Sequence, residues 1–125
     1  MIRDNAVLRS EIQLVHAGVA DGESLVESLR RSELLVPSAA DGAPLTTELD
    51  GVLWVLAFTS EQALAVYADA RGAVTRSTYF LTLPGSLLQD VALPALGRPG
   101  GIAVDLGSAF PMLFPAAEPV VEAVA

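Results

Sequence analysis

The spacing of apolar positions alternates along this chain between helical and strand-like patterns. Leu8, Ile12, Val15 and Val19 recur at i, i+4, i+7 and i+11, with Arg9, Glu11 and Gln13 elsewhere on the wheel, so residues 5–19 read as an amphipathic helix. Asp4 is placed to cap its start and Gly18 to stop it. A second helix is expected from a cap at Asp21 through Arg31, with Leu25, Val26 and Leu29 facing the core. From Leu34 onward the pattern becomes short apolar runs between turn formers. Residues 34–36 read as a strand ending at Pro37, and residues 45–48 as a weaker strand between the Asp41-Gly42 and Asp50-Gly51 turns. Residues 52–58, Val-Leu-Trp-Val-Leu-Ala-Phe, are apolar at both alternations, which marks a central strand covered on both faces. In that setting Trp54 is expected in the core.

The boundary after this strand fits S/T-x-x-E/Q, with Thr59 as cap and Gln62 returning a bond, so a helix is expected with Leu64, Tyr67 and Ala68 buried and an end before Gly72. Residues 79–83 read as a strand. Pro84 opens a helical segment reaching about Val91 or Ala92, with Leu87, Leu88 and Val91 as its apolar face, and Pro94 stops it. Residues 101–105 and 112–114 are two further strands, and Gly100 or Gly101 is expected to take a positive φ in the turn before the first. The fold expected is α/β (α+β), a mixed sheet of about five to six short strands with helices packed against it. Residues 1–115 make one domain and residues 116–125 a tail or short accessory helix.

Composition bears mainly on function. The 125 residues contain no cysteine, fifteen Asp and Glu, and seven basic residues, all Arg, for a net charge of −8. Such a chain repels a phosphate backbone, so nucleic acid is not an expected partner. Without cysteine there is no disulfide or thiolate site, which fits a reducing compartment. No signal-peptide pattern opens the chain, and no apolar run approaches the approximately 20 residues that span a bilayer. The expected location is cytoplasmic, with no membrane association.

Converging chemistry is sparse. His16 is the sole histidine, so no multi-histidine metal site is expected, and no serine has a base at diagnostic spacing. Leu83-Pro84-Gly85-Ser86 and Arg98-Pro99-Gly100-Gly101 match neither phosphate-loop pattern, and the chain has no Lys to serve one. No catalytic residue, metal or cofactor is therefore assigned.

The order of several segments resembles the N-terminal domain of the SseB family. They are Leu34-Leu35-Val36-Pro37, Ala57-Phe58-Thr59-Ser60 with the following Glu61-Gln62-Ala63-Leu64-Ala65, Leu83 to Leu88, and Gly101-Ile102-Ala103-Val104-Asp105-Leu106-Gly107-Ser108 before Met112. The resemblance covers roughly residues 22–115 and implies a bacterial α/β domain without a defined catalytic set. Longer members of the family carry a C-terminal domain, so this chain looks like a stand-alone version. Asp105-Leu106-Gly107-Ser108 stands where many relatives look more like Asn-Pro-Gly-Ser.

Two functional expectations follow. The leading one is a noncatalytic protein-interaction or regulatory module, since 52 % hydrophobic residues can leave an apolar docking face. Its expected surface is Tyr67, Tyr79, Phe80, Phe110, Met112 and Phe114, with a protein partner or homodimer. The alternative is a small-molecule-binding or weakly enzymatic domain whose strand-end turns supply Thr59, Gln62, Ser86, Asp105 and Ser108.

Overall fold

A computed structural model describes residues 5–22, 24–39, 41–70 and 79–116. The expected Asp4 cap, Gly72 stop and residues 117–125 of the tail lie outside the described residues. The architecture is mixed α+β. Helices α1 (Ala6–His16) and α2 (Leu25–Arg31) precede strands β1 (Glu33–Pro37), β2 (Thr46–Leu49) and β3 (Val52–Ala57). Helix α3 (Glu61–Ala70) and strand β4 (Phe80–Pro84) follow. Helix α4 comprises Gly85–Leu87, a π-helical turn Leu88–Ala92 and Leu93–Ala95, and leads to β5 (Gly100–Val104) and β6 (Met112–Pro115).

The six strands form two sheets, β1-β4 and β2-β3-β5-β6. β3 and β5 run parallel, with Val55 opposite Ile102, and the other pairs are antiparallel. An antiparallel bridge joins β1 to the end of β3, Leu35 and Phe58 exchanging N–H to C=O bonds of 2.8 Å each way, and a second, between Ser38 and Pro44, ties the end of β1 to the segment before β2. The β2-β3 hairpin closes through Asp50 and Gly51 at φ 54° and 81°, both positive as its two-residue turn requires.

Alternation along β3 divides the core. Val55 and Ala57 join Leu8, Ile12, Leu25, Leu29, Ile102 and Val104 on the face covered by α1, α2 and α4. Trp54, Leu56 and Phe58 join Leu64 and Ala103 on the face covered by α3. Both faces of the strand are thus buried, as its unbroken apolar run predicts.

Three local expectations are corrected. α1 stops at His16, because Gly18 at φ 76° turns the chain, and this leaves Val19 outside the helix and exposed. In α4, Leu88 is buried but Leu87 and Val91 are exposed. Pro94 has no N–H for the i→i−4 ladder, and the wider π turn before it shifts the buried positions to Leu88 and Leu93, five residues apart. Neither Gly100 nor Gly101 has positive φ, which falls instead on Gly97. Gly101 is needed for close approach: a Cβ there would sit 2.5 Å from the Trp54 ring and 2.7 Å from the Phe114 carbonyl oxygen.

Candidate functional site

β3 and β5 end side by side, and two of the three turns singled out in the sequence meet there. Asp105, at φ 55°, continues the ladder with an N–H to Ala57 C=O bond of 2.9 Å. Its carboxylate accepts from Thr59 twice, the N–H to Oδ1 at 2.8 Å and the hydroxyl to Oδ2 at 2.7 Å. Thr59 and Asp105 are both buried. Ser108 closes the turn, donating its N–H to the Asp105 carbonyl at 3.1 Å and accepting the Phe110 N–H on Oγ at 3.2 Å.

This lock moves the helix cap by one residue. With the Thr59 side chain committed to Asp105, the Ser60 hydroxyl accepts the Ala63 N–H at 3.0 Å, and α3 starts at Glu61. The expected Thr59-to-Gln62 box is therefore replaced by a Ser60 cap, and Gln62 is exposed. Asn5 adds a long-range tie, its amide donating to the carbonyls of Glu33 at 3.0 Å and Thr59 at 2.7 Å.

Around the lock lies a cleft of ≈ 250 Å³, lined by Arg9 and Gln13 of α1 together with Thr59, Ser60, Asp105 and Ser108. His16 holds its outer wall. The Nε2 lies 2.7 Å from the Pro111 carbonyl, which requires the tautomer bearing hydrogen on that nitrogen, and the ring meets Phe110 edge-on at 5.5 Å. Ser86 is in the first turn of α4 and does not line this cleft.

The expected aromatic surface is spread over several places. Phe114 is buried, and Met112 packs half-buried against the same core. Tyr67 lies half-buried with its ring 5.4 Å from that of Phe58. Phe110 rims the cleft, while Tyr79 and Phe80 stand exposed at β4.

A larger concavity, of ≈ 720 Å³, was not foreseen from the sequence. Its apolar lining is Val26 of α2, Leu93 and Pro94 of α4, Pro99, Gly100 and Ala116. Arg30, Gln89, Asp90 and Arg98 supply the polar part. Arg30 forks onto Asp90 through bonds of 3.1 and 3.0 Å and reaches Gln89 Oε1 at 2.9 Å. Those hydrogen bonds, helped by the guanidinium charge, hold the Asp90 carboxyl below its ordinary pKa, and Asp90 raises that of Arg30. Arg98 donates to Gly51 C=O at 3.1 Å, pinning the β2-β3 turn. Val26, expected on the core face with Leu25 and Leu29, is instead about half exposed and lines this groove.

Among the described residues no group of three His, Cys, Asp or Glu is arranged to hold a metal ion. A protein-family model described as the SseB protein N-terminal domain matches residues 8–118. No curated protein and no solved structure matches the chain significantly.

Proposed function

This chain belongs to the SseB family, as its N-terminal domain, and on that premise we propose that it acts as a noncatalytic protein-interaction or regulatory module docking its partner in the groove between α2 and α4. The observation that carries the reading is the groove itself. Its floor is apolar, and its main charged group on the α2 and α4 side, Arg30, is already held by Asp90. A partner segment presenting apolar side chains to Val26, Leu93 and Pro94 would gain from their burial. We place this module in the bacterial cytoplasm, supported by the cysteine-free, acidic sequence. Among the described residues no helix is long and apolar enough to cross a membrane.

The test compares Val26→Glu, which puts a charge in the groove, with Val66→Glu on α3; both valines are about half exposed. Affinity capture followed by mass spectrometry should recover a protein held by the wild type and by Val66→Glu and lost with Val26→Glu. Recovery indifferent to Val26 would sink the proposal.

The second reading, a small-molecule-binding or weakly enzymatic domain, is favoured by one observation. Thr59, Asp105 and Ser108 do converge at the carboxyl ends of two parallel strands. Against it, the Asp105 carboxylate and Ser108 hydroxyl are already engaged in bonds to the chain itself. A metabolite panel read by thermal shift, repeated on Ser60→Ala and Gln13→Ala, separates the two readings: a stabilising compound whose effect those changes abolish would select the second.

A further inference from the structure

Among the described residues, no strand pairs with the outer edge of β4. The Leu35–Phe58 bridge turns the N–H and C=O of Leu35 toward β3, so Leu34 and Val36 face β4, where their partners are Leu83 and Leu81. The bonds at either end agree. Ser38 N–H reaches Tyr79 C=O and Gly85 N–H reaches Ser32 C=O, both at 2.9 Å. The backbone groups of Phe80 and Thr82 therefore point away from β1, and among the described strands none pairs with them. Pro84, lacking an N–H, ends that free edge.

The side chains strengthen the case. Tyr79, Phe80 and Leu81 are 62 %, 41 % and 40 % exposed, on both faces of the strand. Edge strands are normally protected by charge, a bulge or a cover. Here residues 77–89 contain no charged side chain in a chain of net charge −8.

We infer that β4 is a self-association edge, along which two copies of this chain pair antiparallel about a twofold axis. Phe80 and Thr82 flank Leu81 symmetrically, so the edge is its own complement. Phe80 exchanges N–H to C=O bonds with Thr82 of the partner subunit, and Leu81 lies across the axis from Leu81 of the partner subunit. Charge favours a second copy at this place: two acidic chains that repel elsewhere meet here without opposing like charges. This surface is separate from the α2-α4 groove, and a heterologous partner there leaves it free.

A five-residue edge makes a small interface, so the dimer is weak, and sedimentation equilibrium from about 5 µM to about 1 mM suits it. The wild type should pass from monomer to dimer over that range. Leu81→Glu and Leu81→Lys should each stay monomeric, since each sets like charges across the axis, and an equimolar mixture should dimerise at least tenfold more tightly than either alone. Hydrogen exchange on the wild type needs no substitution: the Phe80 and Thr82 amides should gain protection with concentration, while those of Leu81 and Leu83 are protected throughout. A wild type monomeric to about 1 mM, a mixture no tighter than its components, or concentration-independent exchange at Phe80 and Thr82 would each overturn the inference. Val26→Glu should leave the dimer intact, so failure of the groove reading and failure of this one are distinct results.

Discussion

Replacing Asp105 tests whether the strand-end lock is structural. In Asp105→Ala the Thr59 N–H and hydroxyl both lose their acceptor, in a place where Thr59 is only 6 % exposed. Each buried donor left unmet costs about 1–3 kcal/mol. Alanine must also hold a φ of 55°, a left-handed conformation that costs about 1 kcal/mol or more for a residue without a side-chain amide or carboxyl group. Losing the solvation cost of a buried carboxylate returns part of this, so the net destabilisation is about 3–5 kcal/mol. For 125 residues that corresponds to a fall in Tm of roughly 10–20 °C. Asp105→Asn behaves differently. Its carbonyl still accepts the Thr59 N–H, its NH2 donates to the Thr59 hydroxyl oxygen, and asparagine tolerates the left-handed backbone, so only the Thr59 O–H loses its acceptor and the loss falls to about 1–2 kcal/mol. Urea unfolding followed by tryptophan fluorescence measures all three proteins through Trp54. Equal losses for Asn and Ala would refute the argument, because they would show that the charge itself, and not the retained Thr59 N–H bond and the tolerated left-handed backbone, is what the site requires.

The register of the α3 cap gives a sharper local test: Ser60→Ala should lose about 1 kcal/mol in the same urea measurement, whereas Gln62→Ala, at an exposed position, should stay within about 0.5 kcal/mol. Gly101→Ala drives a methyl group against Trp54 and the Phe114 carbonyl and should cost at least about 1–3 kcal/mol, with a changed Trp54 emission spectrum. The Arg30–Asp90 pair sets a pH dependence of known sign. Because the folded carboxyl lies below its unfolded value, its stabilisation is present above the unfolded pKa and fades as pH falls through the folded one. Asp90→Asn should therefore flatten the acid limb of stability against pH slightly, as suits an exposed pair, and identical acid limbs in the two proteins would refute the assignment.

How much of this was legible depended on whether a feature was local in sequence. β3 was evident because seven consecutive apolar residues leave no face for water, and the Asp50-Gly51 turn because few residue pairs take two positive φ angles. The cap of α3 was misplaced by one residue because its determinant is remote. Asp105, forty-six positions away, takes the Thr59 hydroxyl and leaves the cap to Ser60. The α4 stripe failed similarly, because a 3.6-residue period does not anticipate a π turn ahead of Pro94. The convergence of the 59–60 and 105–108 turns followed from their places at strand ends, although Ser86 did not join them. The groove was hidden because Arg30 and Asp90 are sixty residues apart and belong to helices whose packing no local pattern specifies.

The parallel pairing of β3 with β5 also bears on how the chain reaches this state. β2 can meet β3 through a two-residue turn, but Leu53 must wait for Gly100, across α3, β4 and α4, before its other flank is filled. Closing so long a loop costs chain entropy that later contacts must offset, so the β2-β3 hairpin is expected to form early and β5 to dock late. Val55→Ala should then slow refolding while Ile102→Val mainly speeds unfolding, and a φ-value at Ile102 as high as that at Val55 would reverse that order. Both core clusters depend on that late step, since Ile102 and Val104 complete one and Ala103 the other. A chain halted before it would leave one edge of its most apolar strand unpaired and both clusters incomplete, and that intermediate, more than the finished domain, is where aggregation threatens.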